Sequence, residues 1–427
     1  MISVNGDIKK YVIIGNGTAA AGCIEGIRKN DANGEITVIS EEKHHVYSRP
    51  LISYYLEGKT DAERMLYRGA DFYEKNGCKV YYGVKASGIS GLTESGGYNL
   101  ALSDGRSIKA EKICVCTGSR PFVPPFEGLD SVVNKFSFMT LDDALGLEKA
   151  LNELSEGVKK PSVLIVGAGL IGLKCAEGIY EKAGKITVCD LADRVLSSIL
   201  DAENASIVEG KLRERGIDFL LGNSVKKFSA GEALMNDGST VKFDVLVLAV
   251  GVRANSEIVK NAGGTVNRGI VVDTRMRTSL PDVYAAGDCA EGYDSSIGSN
   301  RVLAILPNAY MQGYTAGINI SGGDTVFDNA IPMNSIGFFG FHIMTAGSYD
   351  GECIFENRDG TVRNFFIKDG LLKGFMLLGA EERAGIYTSL IREKVPLDSV
   401  SSDFAHNIAS NYIFSAEIRR KRLGGAV

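Results

Sequence analysis

The chain has little of what announces metal, disulfide or acid–base chemistry. Its eight cysteines, at 23, 78, 114, 116, 175, 189, 289 and 353, form no Cys-x-x-Cys pair and no ligand-like spacing, which argues against a structural zinc site and a disulfide framework. They read as packing residues; Cys114 and Cys116 alternate in Lys112-Ile113-Cys114-Val115-Cys116 and so face one side of a buried strand. The four histidines, His44, His45, His342 and His406, show no spacing of a metal site or a base and read as structural. No apolar run is long enough to cross a bilayer. A formal charge of -5 gives no electrostatic case for nucleic acid. Lys9 to Cys23 has the outline of a lipoprotein signal, but Gly15, Asn16 and Gly17 interrupt its apolar run. The chain therefore reads as a cytoplasmic protein with no metal and no membrane partner.

What is present is a repeated glycine pattern. Gly15-Asn16-Gly17-Thr18-Ala19-Ala20 follows the apolar stretch Tyr11-Val12-Ile13-Ile14, and Gly167-Ala168-Gly169-Leu170-Ile171-Gly172 follows Ser162-Val163-Leu164-Ile165-Val166. In such a fingerprint the first glycine permits a tight turn and the second lets backbone approach a pyrophosphate. The third position, Ala20 in one copy, keeps helix close to strand. The helix that follows offers free amide donors to phosphate. Two fingerprints imply two dinucleotides.

Each fingerprint is followed by the same sequence of elements. A hairpin turning at Asp104-Gly105 leads into Ile113-Cys114-Val115-Cys116-Thr117-Gly118, and one at Asp237-Gly238 leads into Val245 to Gly251. The apolar stretch Val283-Tyr284-Ala285-Ala286, ending in Gly287-Asp288, is placed to return to the first copy. At 427 residues and about 150 residues per domain, roughly three domains are expected. From about residue 327 the texture changes to alternating strands with turns at Asp359-Gly360 and Asp369-Gly370, then helical stretches near 381–393 and 403–420. The latter carries Phe404, Ile408 and Tyr412 at i, i+4 spacing and is followed by the basic run Arg419-Arg420-Lys421-Arg422, which reads as a solvated end.

These motifs together resemble the FAD-dependent pyridine nucleotide-disulfide oxidoreductases, in the branch of the NADH:rubredoxin reductases and nitrite reductase flavoproteins. The likeness runs from about residue 9 to 320, and the remainder is similar to the C-terminal domain of that branch. It implies an α/β fold of two Rossmann-like three-layer (ββα) dinucleotide-binding domains plus a C-terminal α+β domain. The FAD-binding domain would comprise 1–121 and 250–326, the NAD(H)-binding domain 122–249 and the last domain 327–427. FAD falls to Gly15, Gly17, Ala19 and Ala20, with Glu41 or Glu42 on its ribose, the choice being open. Arg49 and Pro50, the loop Thr117-Gly118-Ser119-Arg120, Gly287 with Asp288, and the helix start at Asn308 and Ala309 complete that site by resemblance. NAD falls to Gly167, Gly169, Leu170, Ile171, Gly172 and Gly251. Asp190, ending Ile186-Thr187-Val188-Cys189-Asp190, can bond both ribose hydroxyls and repels a 2′-phosphate, favouring NADH over NADPH despite nearby Arg194.

Departures from the family narrow the chemistry. Disulfide-reducing members carry cysteine on the segment facing the flavin, because a thiolate must attack there. The matching stretch here is Tyr47-Ser48-Arg49-Pro50-Leu51-Ile52-Ser53-Tyr54, without cysteine. It resembles instead reductases that pass electrons to an iron or iron–sulfur protein. In many of those a lysine closes this stretch and pairs with a glutamate after the second fingerprint. This chain has Tyr54 and Lys174 at those places, so Arg49, Tyr54 and Lys174 are the candidate residues at the reacting end. Lys174 reads equally as a charge near hydride delivery or a solvated helix edge.

The resulting expectation is hydride transfer from NADH to FAD, then single electrons to a rubredoxin- or ferredoxin-type partner. A second reading makes the chain the flavin subunit of an iron–sulfur oxidoreductase, and a third a nucleotide-binding sensor with little turnover. The resemblance is compatible with a homodimer or a monomer.

Overall fold

The fold is taken from a computed structural model that describes residues 9–92, 96–156, 159–358, 360–380 and 383–400. By contacts the chain forms two compact units, one of residues 1–46, 68–118 and 254–427, the other of 47–67 and 119–253. The expected helix at 403–420 and its basic run lie outside the described residues.

The first unit is built on a five-stranded parallel sheet ordered Val283–Ala285, Lys112–Val115, Lys10–Ile14, Glu35–Ser40, Cys78–Tyr82. Its inner strands Lys10–Ile14 and Lys112–Val115 are short, largely apolar and almost wholly buried, as a parallel sheet covered on both faces requires, while the edge strand Cys78–Tyr82 is partly exposed. Val283–Ala285 pairs in parallel with Ile113–Val115, so the chain returns to the first sheet after building the second. Cys114 and Cys116 do share a face, with their sulfurs 3.6 Å apart in the buried interior.

A second five-stranded parallel sheet, ordered Ile217–Leu221, Lys185–Asp190, Ser162–Val166, Val245–Leu248, Lys135–Phe136, forms the base of the other unit. A three-stranded antiparallel sheet of Val225–Ser229, Glu232–Met235 and Thr240–Lys242 packs onto it through Val225, Phe228, Ala233 and Met235 against Leu164, Val166, Leu246 and Leu248. The first unit repeats the three-stranded element with Ala86–Leu92, Tyr98–Leu102 and Ser107–Ala110. Both Asp-Gly turns close hairpins, with Gly105 at φ +84° and Gly238 at φ +86°. The last part of the first unit is a five-stranded antiparallel sheet between residues 333 and 378, with the helix Ala384–Arg392 packed through Tyr387, Leu390 and Ile391 onto Phe365, Phe375 and Leu377.

Segment 47–67 sits by its contacts in the second unit, although the sequence reading placed it within 1–121. Tyr47 Oη accepts the Leu141 amide at 2.9 Å, Arg49 Nη1 donates to the Met139 carbonyl at 3.1 Å, and Lys182 donates to the Leu56 carbonyl. Gly178 leaves room for Ser53, where an added Cβ would lie 3.0 Å from the Ser53 carbonyl oxygen. These are long-range side-chain bonds, which no local pattern announces.

In the first unit the fingerprint helix Thr18–Asn30 lies directly against the helix Leu306–Ile320. A Cβ added at Gly313 would stand 2.0 Å from the Ala19 carbonyl oxygen, at Gly317 2.2 Å from that of Cys23, at Gly22 2.4 Å from that of Tyr310, and at Gly26 2.3 Å from that of Tyr314. Glycine on both helices thus lets backbone meet backbone. Gly313→Ala is expected to destabilise the protein by about 3 kcal/mol, the upper end for overpacking. Gly210→Ala, on an exposed helical site with nothing within 4 Å, is expected to stabilise by about 0.5 kcal/mol. Urea unfolding followed by circular dichroism separates the two, and equal midpoints would contradict this account of the helix contact.

Candidate functional site

The two fingerprints fold into the same turn. Gly15 and Gly167 have φ of +110° and +119°, and a Cβ on them would lie 2.0 Å from the Cys116 carbonyl oxygen and 2.3 Å from that of Ala249. Only glycine meets both demands. The turn amides are placed alike: Gly15 N–H donates to the Ile39 carbonyl at 2.8 Å and Gly167 N–H to that of Cys189 at 2.7 Å. At the third position, a Cβ on Gly172 would come within 2.0 Å of the Gly167 carbonyl oxygen. Ala20 fills its counterpart fully buried.

The second glycines carry the evidence for ligands. Gly17 and Gly169 have φ of -98° and -80°, open to any residue. No protein atom lies within 4 Å of a Cβ built on either. Neither backbone conformation nor packing calls for glycine there, whereas a pyrophosphate approaching the backbone does. The helices they open, Thr18–Asn30 and Leu170–Gly178, have no side-chain cap and no acidic residue in the first turn. Two other long helices, Leu141–Ser155 and Ala202–Glu214, are capped by side chains. Thr140 and Asp143 form a reciprocal capping box, and Asp201 accepts the Asn204 amide at 2.9 Å. Both fingerprint turns therefore fit a dinucleotide phosphate, with free amides and a positive helix end directed at it.

Around the first turn the structure gathers several expected residues. Ala19, Gly287 and Ala309 meet, since a Cβ on Gly287 (φ +83°) would lie 3.0 Å from that of Ala19 and 3.6 Å from that of Ala309. Gly287 N–H donates to Gln312 Oε1 at 2.9 Å, tying the Gly287-Asp288 turn to the helix Leu306–Ile320. Asn308 is fully buried in that helix, its Nδ2 donating to the Ile331 carbonyl at 3.2 Å. Thr117 exchanges bonds with Asn255: its Oγ1 donates to the Asn255 carbonyl at 2.6 Å and Asn255 Nδ2 to the Thr117 carbonyl at 2.9 Å. Sequence reading missed Asn255, which sits 138 residues away without a local signal. Gly118 follows with φ +63°, and its counterpart Gly251 with +115°. Arg49, Pro50 and Arg120 belong to the second unit.

The carboxylates at the strand ends differ between copies. Because the turn amides bond Ile39 and Cys189 alike, Ser40 stands in the first copy where Asp190 stands in the second. Asp190 Oδ2 accepts the Ala168 amide at 2.7 Å and its Oδ1 the Ala192 amide at 2.8 Å, fixing the carboxylate beside the fingerprint. Arg194 is bound to Asp193 at 2.8 Å and to the Leu200 carbonyl at 3.4 Å. In the first copy Glu41 is exposed and paired with Lys85 at 3.1 Å, while Glu42 is half-buried.

Lys174 is not a solvated edge. Its side chain is 14% exposed, and it pairs within the same helix with Glu177, which is 4% exposed. Its Nζ lies 4.6 Å from the centroid of the Tyr54 ring, and Lys59 Nζ lies 5.7 Å from the same centroid. Lys59 is in turn paired with Glu57, which raises its pKa. The second unit thus brings Tyr54 and Lys174 together. Glu177 was missed, although its i, i+3 spacing from Lys174 was visible.

His45 Nδ1 contacts the Val46 carbonyl at 3.2 Å and the ring packs on Tyr73 at 4.7 Å. Among the described residues no cluster of His, Cys, Asp or Glu could hold a metal, and no helix is long and apolar enough to cross a membrane.

Residues 9–313 match the family described as pyridine nucleotide-disulphide oxidoreductase. The chain is 32% identical over 412 residues to the NADH-dependent phenylglyoxylate dehydrogenase subunit epsilon of Aromatoleum evansii, covering 93% of this chain and 95% of that one. It is 28% identical over 399 residues to the assimilatory nitrate reductase electron transfer subunit of Bacillus subtilis strain 168, covering 90% of this chain and half of that longer protein. Among solved structures, the ferredoxin reductase for the CYP199A2 system of Rhodopseudomonas palustris superposes with a TM-score of 0.78 at 25% identity, over 87% of this chain and 91% of that one. With two matching dinucleotide turns and a family match across both, the chain belongs to the pyridine nucleotide-disulphide oxidoreductase family, as an oxidoreductase that uses FAD and NADH.

Proposed function

We propose that the first fingerprint holds FAD and the second NADH, and that electrons leave singly for an iron–sulfur centre carried by another polypeptide. FAD, when bound, supplies the change from two-electron to one-electron transfer. The observation that carries the reading is what occupies segment 47–54. It offers Arg49, Pro50 and a Tyr54 ring that two lysine ammonium groups approach, with no sulfur to form a covalent link to substrate. Hydride transfer itself needs alignment and exclusion of water more than an acid or base. That matches a site made of backbone amides, small residues and one paired charge.

Asp190 holds its place by two backbone amides and is presented to the ribose already oriented. Arg194, the residue that would otherwise welcome a 2′-phosphate, is engaged by Asp193. Both features support preference for NADH. The acceptor is an iron–sulfur subunit in one reading and a free ferredoxin-type protein in the other. The end-to-end likeness to a dehydrogenase subunit supports the former. The likeness to a ferredoxin reductase supports the latter. In both, the chemistry of the acceptor is the same.

By resemblance, Lys174 stands on the second fingerprint helix at the place of hydride delivery, with Glu177 as its opposed partner. A lysine near the reduced ring stabilises its negative charge, and the adjacent carboxylate offsets it. Lys174→Met is expected to lower the flavin midpoint potential and Glu177→Gln to raise it, measured by anaerobic redox titration. Shifts of the same sign in both, or none in either, would remove the pair from the flavin's field.

Asp190→Ala is expected to raise the KM for NADH roughly ten- to hundredfold, the worth of a charged hydrogen bond, with a smaller change for NADPH. Steady-state rates with an artificial acceptor test this, and parallel changes for both nucleotides would contradict it. In anaerobic stopped-flow, NADH should bleach the flavin band and a ferredoxin-type protein should restore it, while a disulfide should not. Reoxidation by the disulfide would overturn the proposed electron exit.

A further inference from the structure

The two dinucleotide turns are pinned at the same residue by different means. In the second copy, Ala168 follows the first glycine, and its amide is held by Asp190 Oδ2 at 2.7 Å. The corresponding strand end of the first copy carries Ser40, whose hydroxyl is turned to the Glu42 carbonyl at 2.7 Å. Ser40 Oγ, as a donor to its own loop, leaves the turn without the anchor that Asp190 provides.

Asn16 follows the first glycine in that copy. Its Oδ1 accepts the hydroxyl of Tyr73, and its Nδ2 donates to the His44 carbonyl at 3.2 Å. Tyr73 is held in turn by the His45 ring at 4.7 Å, Phe72 at 5.3 Å and Tyr82 at 6.4 Å. Burial pushes its phenol well above the usual value, so it remains a donor across the neutral range. Gly15 and Gly17 flank Asn16, and glycines by themselves leave a turn loosely defined. The side chain between them thus ties the phosphate turn to the loop that carries Glu41 and Glu42.

We propose that Asn16 and Tyr73 are positioning residues for FAD, setting the spacing between the phosphate turn and the ribose-binding loop in place of an aspartate at Ser40. In the second copy one carboxylate both holds the turn and meets the ribose. In the first copy these tasks are divided, with Asn16 and Tyr73 holding the turn and a glutamate of the following loop left to the ribose. The inference rests on the assignment of FAD to the first fingerprint.

The test is equilibrium binding to the full chain stripped of flavin. FAD is titrated by quenching of its fluorescence, and NAD⁺ by calorimetry, for the wild type, Tyr73→Phe and Asn16→Ala. Tyr73→Phe removes only the donor and keeps the ring packing. About tenfold weaker FAD binding is expected in both variants, with NAD⁺ binding within twofold of wild type. Thermal melts of the flavin-free chains should stay close to wild type for Tyr73→Phe. Unchanged FAD affinity in both variants would overturn the inference and leave the FAD assignment standing. Loss of NAD⁺ affinity with FAD intact would overturn the assignment itself. Equal losses for both ligands would reduce Asn16 and Tyr73 to general supports of the fold and also overturn it.

Discussion

The packing around the first fingerprint depends on backbone meeting backbone between the helices Thr18–Asn30 and Leu306–Ile320. Gly22, Gly26, Gly313 and Gly317 each face a carbonyl oxygen of the other helix at a distance that a side chain could not share. The contact joins residues nearly three hundred positions apart, and it can form only after the chain has crossed the second sheet and come back. Its result reaches the site directly. Ala19 on one helix and Ala309 on the other both touch Gly287, and Gln312 from the second helix holds the Gly287 amide. The cradle beside the first fingerprint is therefore a product of close packing, with van der Waals contact and excluded volume fixing where a cofactor can lie.

That dependence explains which parts of the molecule were legible in the sequence. The fingerprints, their strands and both Asp-Gly hairpins are local: each is encoded within some thirty residues by turn chemistry and apolar periodicity, and each forms where the pattern puts it. Asp190 was legible for the same reason, ending a strand at a fixed offset from its glycines. Segment 47–67 was not. Its membership in the second unit comes from Tyr47, Arg49 and Lys182 reaching backbone groups of other elements, and such bonds leave no periodic trace. Asn255 and Tyr73 were hidden likewise, since a single polar residue bonding far along the chain looks in sequence like any surface residue.

The internal duplication shows how much of a binding turn is fixed by backbone and how much is free. Gly15 and Gly167, with their neighbouring carbonyls at Cys116 and Ala249, are equivalent in conformation and contact. The side chains that steady the turns are not. Asp190 works through one carboxylate, and Asn16 works through an amide between a phenol and a carbonyl. Glycine at the turn is required by sterics, with one solution, whereas a hydrogen bond to hold it has many.

The same logic applies to the charge at the second fingerprint helix. A buried lysine needs a partner, because leaving it unpaired in a low-dielectric setting costs more than its packing returns. A partner on another element would make the pair depend on how that element is placed. Here Glu177 lies three residues along the same helix as Lys174, so the pair forms with the helix itself. Tyr54 can then meet Lys174 through its ring face, an interaction that tolerates small displacements better than a directional ion pair does. The charge at Lys174 is thus met by a carboxylate on its own helix and by the face of the Tyr54 ring, two contacts of different directionality.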